Sequence, residues 1–304
     1  MILVTGANGM TASHLLDVYD ESELFRTDLV ESPGIRRMDI RDKDEVMLTV
    51  STVRPSLVLH LAAETDVDRC EREPDHAYQS NLIGTLNITL ACKRFDVDLV
   101  YVSTAGLFDG NKQEPYTEFD SPGPVNTYAR SKFEGEKIVQ TLHSRHYIVR
   151  AGWMFGGRHR DKKFVGKIAA RCLQSDDKAE ILAVDDKFGS PTYAKDLLAT
   201  VRRLSRSGFY GLYHAVNTGS ASRYDVAVEI ARFLQTGTKV ARSTSDSFVL
   251  PAARPRSEVA RNYKLELLGL NHMQTWQHAL CDYLASWIPA ADKERTVSIL
   301  KSSA

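Results

Sequence analysis

The chain lacks an excess of charge of either sign. Its 304 residues carry 39 Lys+Arg against 39 Asp+Glu, so no overall positive field exists to recruit DNA, RNA or an anionic membrane. Long hydrophobic runs are missing as well. The longest apolar stretches, such as Leu57 to Ala63, fall far below the ~20 residues that span a bilayer. Met1 opens onto an apolar segment rather than a charged leader, which sets the expectation of a protein that is not exported. Cysteine is scarce: Cys70, Cys92, Cys172 and Cys281 stand far apart, with no C-x-x-C pair and no histidine at ligand spacing. That argues against a disulfide scaffold and a zinc site, and reads as reduced thiols in a cytoplasmic protein. No cluster calls for a metal ion, and neither an internal repeat nor a low-complexity block is present. What is abundant is core-forming material. With 43% hydrophobic and 26% charged residues over this length, the chain can bury a sizeable core, which excludes disorder.

Through the first half, apolar runs of strand length alternate with helix-period segments: Ile2 to Thr5, a helix from about Met10, Leu24 to Thr27, a helix from about Lys43, then Leu57 to Leu61. The segment Asp75 to Phe95 carries Ala77, Leu82, Leu86, Ile88 and Leu90 at helical spacing and feeds a strand at Leu99 to Ser103. This βαβ rhythm predicts an α/β fold of Rossmann type, a doubly wound parallel sheet with helices on both faces. Residues 106–125 hold Gly110, Pro115, Pro122, Gly123 and Pro124 and read as one long loop. A helix from Tyr128 to His143 and a strand at Tyr147 to Arg150 follow, after which strict alternation is lost. The expected division is a dinucleotide-binding domain over 1–150, to which 190–215 returns, and a smaller substrate-binding lobe from 151–189 and 216–304. Near the C-terminus an amphipathic helix is expected from about Met273 to Trp287, with Trp276, Ala279, Leu280, Tyr283 and Leu284 inward. The last residues, Ser302 to Ala304, read as a fraying tail.

Residues 4–12 read Val-Thr-Gly-Ala-Asn-Gly-Met-Thr-Ala and set Gly6, Asn8, Gly9 and Met10 between the first strand and the first helix. Such a turn lets backbone approach a pyrophosphate at a helix N-terminus, so these residues are assigned to a dinucleotide. About 20 residues on, Asp28 closes the second strand, where a carboxylate accepts the adenine ribose hydroxyls; this favours NADH over NADPH. Arg26, Arg36 and Arg37 lie close by in sequence and can instead embrace a 2′-phosphate. Asp39 and Ile40 end the next short strand; the Asp39 carboxylate can meet the adenine amino group or cap a turn.

Tyr128 and Lys132 are four residues apart, hence on one helix face, and Ser103-Thr104 ends the strand before the long loop. Reducing a ketone with a nicotinamide needs a proton for the oxygen. A tyrosine whose phenolate is stabilised by a lysine ammonium supplies it, because an opposite charge nearby lowers a pKa. Thr104 then holds the substrate oxygen.

Together, the glycine turn, Ser103-Thr104 and Tyr128-x-x-x-Lys132 resemble the extended short-chain dehydrogenase/reductase superfamily. Within it the chain is similar to the dTDP-4-dehydrorhamnose reductase family. The matching stretches include His60-Leu61-Ala62-Ala63, Asp66 to Glu71, Asn81 with Gly84-Thr85, Arg150-x-x-Trp153, Phe188 to Thr192, Gly211 to His214 and Arg254-Pro255. The resemblance implies NAD(P)H-dependent reduction of the C4 ketone of a dTDP-6-deoxy-hexulose, dTDP-4-dehydro-L-rhamnose to dTDP-L-rhamnose. It implies Tyr128 as proton donor, Lys132 as its partner and Thr104 as oxygen ligand. Leu61, Ala62 and Ala63 would line the cofactor, Val67 and Trp153 would wall the sugar pocket, and Arg254 would meet the nucleotide diphosphate. A nucleotide-sugar substrate and a homodimer are the expected partners.

Two departures bear on the sugar. Where these reductases commonly show Ser-Thr-Asp-Tyr, this chain has Ser103-Thr104-Ala105-Gly106, and Glu64 stands where an aromatic or small residue is common. Ala105-Gly106 also removes the acid pair a 4,6-dehydratase would need. Another nucleotide-sugar 4-ketoreductase, an epimerase or epimerase/reductase, and a non-catalytic NAD(P)-binding regulatory subunit like the methionine adenosyltransferase β-subunit remain as rivals.

Overall fold

A computed structural model describes residues 1–174 and 180–288; the expected tail at Ser302 to Ala304 lies outside them. In chain order the first half comprises β1 (Ile2–Thr5), β2 (Leu24–Asp28), β3 (Arg36–Arg37), α1 (Lys43–Val53), β4 (Leu57–His60), α2 (Val67–Arg72), α3 (Pro74–Tyr78), α4 (Gly84–Phe95), β5 (Asp98–Thr104), α5 (Thr127–Leu142) and β6 (His146–Ala151). Then follow β7 (Trp153–Phe155), α6 (Phe164–Gln174), β8 (Glu180–Val184), β9 (Phe188–Gly189), β10 (Pro191–Tyr193), α7 (Ala194–Ser205) and β11 (Gly211–His214). The last elements are β12 (Ala221–Ser222), α8 (Arg223–Leu234), β13 (Lys239–Ser243), β14 (Ser257–Glu258), α9 (Tyr263–Leu267) and α10 (Trp276–Trp287).

Seven strands form one sheet in the order β11-β6-β5-β4-β1-β2-β3, and every neighbouring pair is parallel. Helices cover both faces, as a parallel sheet requires, because its strands are apolar on both sides. Successive residues point to opposite layers. Val4, Leu59, Val100 and Val149 pack with Leu15, Leu197 and Val201, whereas Leu3, Val58, Leu99 and Ile148 pack with Val46, Ile88 and Val139. A separate core joins Phe155, Ile168, Tyr193, Ile230, Trp276 and Tyr283. The strand order reverses between β1 and β4, and at such a switch point a crevice opens beyond the carboxyl ends of the strands.

Caps set the helix starts. Asp42 accepts from the Asp44 and Glu45 amides at α1, and Asn126 accepts from Ala129 at α5. Several elements differ from their sequence pattern. The short strand expected to end at Asp39 and Ile40 is β3, which stops at Arg37 and leaves both residues in the loop before α1. The first helix is a 3-10 helix over Thr11–Asp17. The apolar period from Asp75 to Phe95 is carried by α3 and α4 with a π turn, Gln79–Ile83, between them. The terminal helix starts at Trp276 rather than Met273, because the Thr275 side chain caps it at His278.

Candidate active site

At the end of β1 the chain turns at Gly6, whose φ is +73°. A Cβ there would stand 2.7 Å from the Ala62 nitrogen, so only glycine allows the ends of β1 and β4 to meet so closely. Asp28, closing β2, accepts from the Asn8 amide at 2.9 Å and the Val30 amide at 3.2 Å. These elements border one cleft of about 760 Å³, whose walls include Gly6, Gly9, Met10, Asp28, Asp39, Ile40, Leu61, Ala62 and Ala63. A backbone-lined floor with an acid at the second strand's end fits a dinucleotide.

Asn8 departs from its expected role. Its carboxamide donates to the Val30 carbonyl at 2.6 Å and accepts from the Ser32 hydroxyl at 2.8 Å, pinning the loop after β2 instead of facing the cleft. The three arginines considered for a 2′-phosphate are engaged outside its walls: Arg26 pairs with Glu21, Arg37 with Glu45, and Arg36 lies over the Phe25 ring. Arg41, beside Asp39 and Ile40, does line the cleft. It grips Asp39 with Nε and Nη2 at 2.9 and 2.7 Å, and this bidentate contact holds the Asp39 carboxyl below its usual range. Sequence spacing did not single out Arg41, because nothing in a short loop shows which way a side chain turns.

Thr104 ends β5, and its hydroxyl accepts from the Gly106 amide at 3.0 Å. Tyr128 sits in the first turn of α5, next to Thr127, whose amide donates to Glu71 at 2.8 Å. The Thr104 hydroxyl acts on the Tyr128 phenol and opposes part of the upward push that burial exerts on it. One turn along, Lys132 is 2% exposed; its ammonium donates to the Val102 carbonyl at 2.8 Å and lies 4.1 Å from the Tyr101 ring centre. Burial pushes the Tyr128 phenol above its ordinary value, with Cys70, Glu258 and Glu64 adding to the rise. The same burial pushes Lys132 down to about 7. The expected depression of Tyr128 by Lys132 is not seen: desolvation acts on both groups against their charged forms.

Across the cleft lie Val67, Trp153 and Arg254. Arg254 donates to Asp68 at 3.0 Å. The Trp153 indole N–H donates to Glu258 at 3.2 Å, and the Arg223 guanidinium stacks 3.7 Å from the Trp153 ring centre. Glu258 and Arg223 are wall residues that sequence reasoning missed; a two-residue strand and a helix start carry no periodic signal. Glu64, a departure noted above, accepts from Arg69 at 3.2 Å and contacts His76 at 3.1 Å. Among the described residues no group of three His, Cys, Asp or Glu side chains can hold a metal ion, and no helix is long and apolar enough to cross a membrane.

A Rossmann-type sheet with a threonine, tyrosine and lysine gathered at its switch-point cleft defines a protein of the short-chain dehydrogenase/reductase kind. Within that class the chain belongs to the family described as RmlD substrate binding domain, whose model matches residues 1–288. It is 35% identical over 295 residues to a dTDP-4-dehydrorhamnose reductase of Mycolicibacterium smegmatis, covering 95% of this chain and 86% of that one. A dTDP-4-keto-6-deoxy-D-glucose reductase of Streptomyces niveus is 31% identical, with 91% and 94% covered. The dTDP-4-dehydrorhamnose reductase of Bacillus anthracis, solved in complex with NADP, superposes with a TM-score of 0.85 at 32% identity, covering 94% of this chain and 98% of that one.

Proposed function

We propose that this protein reduces the C4 ketone of a dTDP-6-deoxy-hexulose with NADH or NADPH, turning dTDP-4-dehydro-L-rhamnose into dTDP-L-rhamnose. The observation that carries the reading is the convergence of Thr104, Tyr128 and Lys132 on the cleft that the Gly6 turn opens. The reduced nicotinamide supplies the hydride when bound. Thr104 donates a hydrogen bond to the substrate oxygen and fixes it against that donor, contributing preorganised electrostatics. The Tyr128 hydroxyl gives its proton to the oxygen as the C4–H bond forms, and its phenolate is reprotonated from solvent. Lys132 stabilises the developing phenolate. Val67 and Trp153 wall the sugar, and the planar Arg254 fork suits the diphosphate.

For the dinucleotide, Asp28 favours NADH, whereas Arg41 offers a partner for a 2′-phosphate. A homodimer in the cytoplasm completes the reading, supported by the commonness of two-fold assemblies and by thiol cysteines. The test follows absorbance at 340 nm with purified protein, NADH or NADPH, and enzymatically generated dTDP-4-dehydro-L-rhamnose. Cofactor oxidation that Tyr128→Phe lowers by about 10²-fold or more supports the reductase, since a positioned acid contributes on that order. Tight dinucleotide binding without turnover sinks it in favour of a regulatory subunit.

A further inference from the structure

Glu258 is placed where the mechanism above does not use it. It lies on β14, brought against β9, and from there its carboxylate enters the wall of the cleft. Its Oε2 accepts from the Trp153 indole. Oε2 and the Thr104 hydroxyl oxygen are each 3.3 Å from the point where a Gly106 Cβ would stand. Both oxygens therefore border the space left by the missing Gly106 side chain, and Gly106 has no side chain to screen either.

We infer that Glu258 is the specificity-determining residue of the sugar subsite, accepting a hydrogen bond from the hydroxyl next to the carbonyl that Thr104 and Tyr128 hold. This rests on the reductase reading. In a 6-deoxy-hexulose reduced at C4, C5 bears the methyl group, so the neighbour with a free hydroxyl is C3. With O4 on Thr104, a hydroxyl on the adjoining carbon comes within reach of Oε2, because the two protein oxygens border the same space. A carboxylate is an acceptor only and has lone pairs left after binding Trp153.

The charges around it choose a neutral donor. Arg223, Arg254 and Lys187 all act on Glu258 and oppose the upward push of burial. Arg223 itself is stacked on Trp153 and Phe164. Burial still leaves the Glu258 carboxyl above its usual range; with three cations acting on it, an ammonium group at C3 is repelled, while a hydroxyl meets an acceptor oxygen held in place by the Trp153 N–H. Trp153 acts here as a positioning residue, fixing the orientation of the carboxylate through its N–H.

The experiment is calorimetric binding to the full-length, NADPH-loaded protein, so that discrimination is read without turnover, since an alcohol ligand cannot accept hydride from the reduced cofactor. The ligands are dTDP-L-rhamnose, its 3-deoxy analogue and its 3-amino-3-deoxy analogue. The wild type is expected to prefer the hydroxylated ligand by about 10-fold or more over both analogues, the range of a hydrogen bond to a charged group. Glu258→Ala should bring the hydroxyl and deoxy ligands to similar affinity. Glu258→Gln, which keeps the shape, should lose part of the preference, and Trp153→Phe should weaken it while leaving the acid in place. Equal affinity of the wild type for hydroxylated and deoxy ligands, no measurable binding of either, tighter binding of the amino sugar, or an unchanged preference in Glu258→Ala would each overturn the inference. Cofactor oxidation at 340 nm is recorded separately. Its absence in a protein that still discriminates at C3 counts against the reductase reading alone.

Discussion

In the proposed reaction, three side chains decide whether a hydride donated in this cleft ends on a stable alcohol. Lys132 is the one whose charge changes near neutrality, because burial draws its ammonium down to about 7, whereas Tyr128 is pushed upward and stays a protonated donor. The sign follows: as pH rises through about 7, Lys132 loses the charge that stabilises phenolate. The kcat/KM for reduction is therefore expected to fall above pH 7, long before the tyrosine titrates. Steady-state rates between pH 6 and 9 check this, and Lys132→Met should show a low, flat profile over the same range. Cofactor choice is proposed to rest on single residues. Asp28 sits in the cleft wall at the end of β2, where a carboxylate would repel a 2′-phosphate. Asp28→Ala should raise the ratio of NADPH to NADH efficiency by about 10-fold, a difference of roughly 1.4 kcal/mol, read from kcat/KM with each cofactor. Residue types were legible in the sequence wherever a short spacing encodes a shared face, as with Tyr128 and Lys132. They were not legible where the partner arrives from afar: Glu258 meets Trp153 across 105 positions, and only the folded chain shows it.

Helix α5 carries both Tyr128 and Lys132, so its first turn is where element and chemistry meet. Asn126 caps it through Oδ1 to Ala129 at 2.9 Å and reaches with Nδ2 to the Ala253 carbonyl, also at 2.9 Å. That second contact ties the helix start to the loop bearing Arg254. Asn126→Ala is expected to cost about 1 kcal/mol, a fall in Tm of about 2 to 4 °C for a chain of this size. It should also lower kcat/KM by up to about 10²-fold through misplacement of the phenol. Thermal unfolding and initial rates measure the two effects separately. Elements with a strong period were readable in advance, down to the buried runs of β4 and β6. The π turn at Gln79–Ile83 was not, since its residues keep the apolar spacing of a plain helix and only the backbone register shifts. There Asn81 turns inward, accepting from the Glu64 amide at 2.8 Å and donating to the Ser131 hydroxyl at 3.0 Å, which links this turn to α5.

At the scale of the whole molecule, acid should be the weak side of stability. His60 is enclosed between the Thr5 and Thr85 hydroxyls at 2.7 and 3.1 Å. His214 donates through Nδ1 to the Arg261 carbonyl, 3.2 Å away, while its Nε2 has no hydrogen-bond partner. Burial depresses both imidazoles to about 3. Between that value and the unfolded 6.5, the unfolded chain binds more protons, so stability is full above pH 6.5 and drains as pH falls towards 3. Each histidine should take away about 2 kcal/mol at pH 5; urea unfolding at pH 7 and pH 5 reads the sum. The sheet's edge has a consequence for how the protein is made. β6 finds its outer partner only in β11, after the whole excursion from β7 to α7. A ribosome adding about 5–20 residues per second leaves that edge, with Tyr147, Ile148 and Val149, bare for several seconds. During that interval the nascent chain offers a sticky strand to its neighbours, and a chaperone that shields it until translation passes residue 214 would govern the yield of folded protein.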